Sequence, residues 1–219
     1  MDAFEIRTFV SQVFSQNAYL AWRPGSASAV AIDPGGEADA MADALSAEGL
    51  WLEAILLTHA HIDHIEGVAR LVKRTGASTH LHPGDRPFYD RVAVQAAQFG
   101  MSVEELPPID HALAHGQVLD VAGASIQVRH VPGHSPGHVI LYVEEAASAF
   151  VGDVVFAGSI GRTDLPGGNF PQLIRGIREQ VFTLPDETTL YPGHGPATTV
   201  GHERATNPFL VPQFGGGLA

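Results

Sequence analysis

Four times along this chain a short apolar run ends in a histidine or an aspartate. Leu56-Leu57 leads into Thr58-His59-Ala60-His61-Ile62-Asp63-His64, residues 128–131 into Pro132-Gly133-His134, Phe150-Val151-Gly152 into Asp153, and Leu190-Tyr191 into Pro192-Gly193-His194. Runs rich in Val, Ile, Leu and Phe that stop at Gly or Pro read as buried strands. Layered α/β proteins assemble their sites at the carboxyl ends of such strands, where loops from separate strands meet. The pattern therefore restricts the chain to an α/β arrangement in which four strand ends bring histidine and carboxylate together.

The other segments agree. Strands are predicted at 4–10, 27–32, 52–57, 78–82, 118–121, 125–131, 139–144, 147–151 and 188–191, with a hairpin turn at Ala122-Gly123. Helices are predicted at 37–48, 63–75, 87–99 and 171–182. The first places Ala38, Met41, Ala42 and Leu45 on one face and stops at Gly49, and the last opens on Pro171. No repeat, charge block or long linker divides the chain, so one domain over residues 1–214 is expected, with a flexible tail at 215–219.

Composition narrows the partners. With 12 basic against 24 acidic residues the net charge is −12, which lacks the basic footprint of a nucleic-acid binder. No run approaches the roughly 18 apolar residues of a membrane span. The start Met1-Asp2-Ala3-Phe4-Glu5 is acidic where a secretory signal is basic, so a cytoplasmic protein is expected. The absence of cysteine excludes disulfides, thiolate ligands and a cysteine nucleophile. Histidine is the excess: 12 residues, as many as lysine and arginine together.

His59 and His61 lie two apart, so an extended loop points both to one side. Asp63 and His64 then open the next helix and project elsewhere, which suits two adjacent metals better than one. His134, Asp153 and His194 each repeat the strand–Gly–ligand arrangement and complete two ligand sets. Imidazole and carboxylate without sulfur favour Zn, Fe or Mn, with no choice among them from sequence.

Residues 58–64 match the T-H-x-H-x-D-H signature of the metallo-β-lactamase superfamily, and Gly133-His134, Gly152-Asp153 and Gly193-His194 match its remaining motifs in order. The resemblance runs from Ser15-Gln16-Asn17 through Asn207-Pro208. Asp33-Pro34-Gly35-Gly36, Pro132-Gly133-His134-Ser135-Pro136-Gly137-His138, Gly161-Arg162-Thr163-Asp164 and Tyr191-Pro192-Gly193-His194-Gly195-Pro196 make the chain most similar to single-domain, type II glyoxalase-like (hydroxyacylglutathione hydrolase-like) enzymes. The resemblance implies a four-layer αβ/βα sandwich with two divalent metal ions at one edge. It assigns His59, His61 and His134 to one ion and Asp63, His64 and His194 to the other, with Asp153 bridging. It further implies hydrolysis of a small-molecule thioester such as lactoylglutathione by a metal-bridging hydroxide, with Asp63 also placed to orient that hydroxide or take its proton.

Two departures bear on substrate. β-Lactamases of this fold generally lack the bridging Asp, and one group needs a cysteine ligand. Larger type II glyoxalases add a C-terminal helical region that contacts glutathione, whereas only 25 residues follow His194 here. The competing readings are a mononuclear-iron persulfide dioxygenase and a metal-binding protein without catalysis. His138 and Arg162 are weaker candidates for substrate binding, and Asp33 for holding a ligand histidine from behind. Arg86 and Arg91 are candidates for an anionic substrate if the segment after Pro83 overhangs the site. His80 and His82 share one face of a short strand, where a further metal site is the minor reading, and His111, His115, His130 and His202 read as loop or strand-end residues. Oligomeric state, and whether residues 84–100 form a lid, are open at this level.

Overall fold

The computed structural model describes residues 4–211. In its first half, β1 (Glu5–Val10) and β2 (Asn17–Trp22) form an antiparallel pair, followed by β3 (Ser28–Ile32), α1 (Ala38–Glu48), β4 (Trp51–Leu56), α2 (Ile62–Ile65), α3 (Val68–Thr75), β5 (Ser78–Leu81), α4 (Arg86–Tyr89), α5 (Val92–Gln98) and β6 (His111–Ala112). The second half comprises β7 (Val118–Val121), β8 (Ala124–His130), β9 (Val139–Val143), β10 (Ser148–Gly152), the small hairpin β11 (Val155–Phe156) and β12 (Ser159–Ile160), α6 (Phe170–Gly176), β13 (Thr189–Pro192), β14 (Thr198–Thr199) and α7 (Val200–Thr206). Strands β1 to β6 make one sheet in chain order, and a second runs β14-β13-β10-β9-β8-β7.

Strand alternation builds the layers. In the first sheet Leu20, Ala29, Ala31 and Ile55 face Met41, Leu45 and Leu71 of α1 and α3. Their neighbours Tyr19, Val30, Ile32 and Leu56 face inward and meet Ile126, Val128, Leu141 and Phe150 of the second sheet. The opposite face of that sheet, with Ile140, Tyr142, Ala149 and Val151, packs on Leu173, Ile174 and Val200 of α6 and α7. Helix, sheet, sheet and helix follow in that order, the expected αβ/βα sandwich.

Local chemistry explains most boundaries. Helix α1 buries Ala38, Met41, Ala42 and Leu45 and ends on Gly49 at φ 68°, and each large side chain so buried stabilises by ~2 kcal/mol. The β7–β8 turn sets Ala122 and Gly123 at φ 53° and 73°, the mirror-image turn that suits a twisted hairpin. The helix expected over 63–75 is instead interrupted at Gly67, whose amide donates to the Pro34 carbonyl at 3.0 Å. A Cβ there would lie 2.6 Å from that same oxygen, so only glycine permits this approach. The helix expected over 87–99 is likewise split, into α4 and α5. Strand β2 and helix α7 were not expected; β2 carries Ala18, Leu20 and Ala21 buried on both faces, without the alternation that marks a half-exposed strand. The expected tail at 215–219 lies outside the described residues. Among the described residues no helix is long and apolar enough to cross a membrane.

Candidate metal centre

Strands β8 and β10 both run antiparallel to β9, and β13 runs parallel to β10, so all three end at one edge of their sheet. Strand β4 of the facing sheet ends at the same edge, where the Thr58 carbonyl accepts the Val139 amide at 2.8 Å. The residues just past these four ends converge. His61 Nδ1 lies 3.1 Å from His59 Nε2 and 2.8 Å from His134 Nε2. Asp63 Oδ2 lies 3.1 Å from His194 Nε2 and 3.6 Å from His64 Nε2. Asp153 spans both groups: Oδ1 is 3.4 Å from His64 Nε2, while Oδ2 is 3.6 Å from His134 Nε2 and 3.7 Å from His194 Nε2. Gly193 makes room for this, since a Cβ on it would overlap Asp153 Oδ1 and sit 2.6 Å from His64 Cε1.

The outer nitrogens fix which ring atoms are protonated. Thr58 Oγ1 donates to Asp33 Oδ2 at 2.6 Å and so accepts from His59 Nδ1 at 3.1 Å. His64 Nδ1 donates to Asp33 Oδ2 at 2.9 Å, His134 Nδ1 to the Arg162 carbonyl at 2.8 Å, and His194 Nδ1 to the Ser15 carbonyl at 3.3 Å. A neutral imidazole has one N–H, so four Nε2 lone pairs point inward. Two of them aim at His61 Nδ1, which has at most one proton to give, and two face carboxylate oxygens. His64 Nε2 and Asp153 Oδ1 are buried with no hydrogen-bond partner among the described residues. Converging lone pairs and carboxylates repel unless a cation sits among them, and the nitrogen–oxygen donor set fits Zn, Fe or Mn.

The electrostatics agree. Burial holds His59 well below the usual imidazole range, reinforced by His64, His138, His61 and His134. Burial and then His134 bring His61 down to about 4. Burial also opposes charge on His64, but Asp63, Asp153 and the bond to Asp33 outweigh it and hold this ring well above its ordinary value. His194 is raised against burial by Asp63 and Asp153. Both carboxylates stay low despite burial, because His64 lies beside each. The carboxylates that favour positive charge on His64 and His194 would equally favour a metal cation between them.

Two residues that the sequence reading passed over hold the loops of the candidate ligands. Buried Asp85 accepts from the Ala60 amide at 2.9 Å, the Ser135 hydroxyl at 2.7 Å and the Gly137 amide at 2.5 Å. Gln95 of α5 donates to the Ala60 carbonyl at 3.0 Å and accepts the Ile62 amide at 3.1 Å. Its Nε2 also donates to the Phe88 carbonyl at 2.9 Å, near the break between α4 and α5. A signal for Asp85 was present: Pro83-Gly84-Asp85 follows β5 as Pro132-Gly133-His134 follows β8. Gln95 carried none.

The weaker candidates fall out unevenly. Asp33 does hold His64 from behind. His138 does not line the cavity: it is buried, its ring stacked 4.6 Å from that of His59, and its Nε2 accepts the Asp153 amide at 3.0 Å. Arg162 lines the cavity, but its side chain is bound to Asp164 at 2.7 and 2.8 Å, and its carbonyl is what holds His134. His80 pairs with His111 and His82 stacks on His130, all outside the ligand clusters among the described residues. A cavity of about 580 Å³ opens over His61, Asp63, His134, Asp153 and His194, walled by the α4–α5 segment and by the loop holding Leu165-Pro166.

A sequence profile described as the metallo-beta-lactamase superfamily matches residues 12–194, a span that contains all seven clustered residues. The chain belongs to that superfamily. Within it, hydroxyacylglutathione hydrolase GloC of Haemophilus influenzae is 36% identical over 199 residues, 90% of this chain and 93% of that protein. The crystal structure of BLEG-1 B3 metallo-beta-lactamase superposes with a TM-score of 0.88 at 37% identity, covering 94% of this chain and 100% of that one. That of TTHA1623 in a di-iron-bound form gives 0.85 at 41% identity, covering 93% and 100%. The superfamily fold is the sandwich described above, and it is a metal-binding one.

Proposed function

We propose that the chain is a dinuclear metal-dependent hydrolase of acylglutathione-like thioesters. One observation carries this reading: the Asp153 carboxylate is shared, one oxygen toward His64 and the other toward His134 and His194, an arrangement that suits two neighbouring cations. The relationship to GloC supports the thioester class, and the di-iron form of TTHA1623 supports the stoichiometry. In this reading His59, His61 and His134 would hold one ion, and Asp63, His64 and His194 the other. Such ions supply hydroxide at neutral pH and offset charge on a developing oxyanion.

The chain's own groups do the remaining work. Asp63 Oδ2, at the cavity floor and 3.1 Å from His194, orients the nucleophilic oxygen and accepts its proton. Attack forms a C–O bond at the carbonyl carbon, and collapse of the tetrahedral oxyanion breaks the C–S bond; the thiolate, of parent pKa near 8.5, leaves without an acid. Asp33, Thr58 and the Arg162 carbonyl keep the rings in the tautomers that direct their lone pairs inward.

The test is thiol release from lactoylglutathione by metal-quantified protein, beside a His59→Ala variant and a β-lactam counter-substrate. Turnover of the thioester, lost in the variant, with about two metals per chain, is the expected result. One iron per chain with oxygen consumption would transfer the assignment to persulfide oxidation, and preference for the lactam would overturn it.

A further inference from the structure

An anionic substrate meets an unfavourable long-range field on a chain of net charge −12, which cations held at the cavity floor would offset only close to that floor. A carboxylate on an arm that extends away from the floor is served by a cation on the cavity wall. The walls are apolar, with Phe88, Val94 and Phe99 on the α4–α5 side, and Phe14 meeting Phe99 edge-on at 5.3 Å across the mouth. Two arginines line this space. Arg162 is committed to Asp164 by two hydrogen bonds, and nearby Arg86 to Asp90 at 2.6 Å. The guanidinium of Arg91 has no hydrogen-bond or ion-pair partner among the described residues. Its backbone is nonetheless held: the Arg91 carbonyl accepts the amides of Val94 and Gln95 at 2.9 and 3.2 Å, and the Gln95 side chain is bound to the ligand loop.

We propose that Arg91 is the specificity-determining residue of this cavity, and that the substrate is a thioester carrying a carboxylate on an otherwise apolar arm. This rests on the hydrolase reading above. A guanidinium presents paired N–H groups matched to a carboxylate, and exposed Arg91 stands beside the apolar wall of Phe88, Val94 and Phe99. The phenyl and valyl walls take the apolar part of the arm, and the metal edge takes the reacting carbonyl.

Matched probes test it. S-Acetyl-3-mercaptopropionate places the carboxylate on the thiol arm and S-ethyl monothiosuccinate on the acyl arm; each is compared with its methyl ester by thiol release. Wild-type protein is expected to prefer the acid on at least one arm. Arg91→Gln is expected to erase that preference by about tenfold or more, through KM, with kcat on the neutral ester unchanged and Arg91→Lys restoring part of it. Equal loss on acid and ester, or no preference in wild type, would overturn the proposal. Thiol release from none of the four probes would instead count against the hydrolase reading. Calorimetric binding of the thioether S-ethyl-3-mercaptopropionate and its methyl ester then reads Arg91 without turnover: discrimination that Arg91→Gln removes sustains its role, and none ends it.

Discussion

The carboxylate of Asp85 accepts the Ala60 amide at 2.9 Å and the Ser135 hydroxyl at 2.7 Å. Ala60 lies between His59 and His61, and Ser135 follows His134, so one buried side chain sets the spacing of three candidate ligands from two sheets. Asp85→Asn replaces an acceptor oxygen by a donor facing donors. We expect it to cost ~2–4 kcal/mol in urea unfolding and to lower the metal content of purified protein. Asp90→Asn, at an exposed ion pair, should leave both unchanged.

Asp33 takes three hydrogen bonds, from the Thr58 amide, the Thr58 hydroxyl and His64 Nδ1. Asp33→Asn cannot accept all three and frees the His64 ring to change tautomer. Metal affinity should fall by about 10–100-fold, read by competition with a chromophoric chelator, with far-UV circular dichroism retained.

Gly193→Ala places a methyl group against Asp153 Oδ1 and His64 Cε1. The fold can absorb a small shift of this loop; the ligand geometry cannot. Thioester turnover is expected to drop by about 100-fold while the melting temperature moves by only a few degrees.

His80 and His82 lie away from the ligand clusters, and burial, then a neighbouring imidazole (His111 and His130 respectively), lowers each from 6.5 to about 4. The neutral forms favour the folded state. Their contribution is therefore complete above pH 6.5 and is lost as pH falls toward 4, because the unfolded chain binds these protons first. In denaturant titrations of metal-free protein across this range, His80→Gln/His82→Gln should flatten the pH dependence of the unfolding free energy by up to about two protons' worth of slope.

Much of this was legible in one dimension because it is local. The i, i+3, i+4, i+7 pattern of α1, the Ala122-Gly123 turn, and the strand–Gly–ligand arrangement at three of the four strand ends each depend on neighbours in sequence. Where the reading failed, long-range contacts decided. Gly67 breaks a helix because the Pro34 carbonyl approaches it, and β2 is a strand because two layers bury it on both faces. His138 looked like a site residue through its proximity to His134, yet the β8–β9 connection folds it behind His59.

By itself, the sequence determined the donor types, their order and the layered class, since hydrophobic period and residue chemistry act over a few positions. Only the tertiary structure decided that Asp153 faces both histidine groups, that Asp85 and Gln95 brace the candidate ligand loop, and that Arg91 has no partner among the described residues while Arg86 and Arg162 are taken. Those outcomes turn on hydrogen-bond geometry resolved to tenths of an ångström between segments far apart in the chain, and no spacing along the chain encodes which of several similar partners is reached.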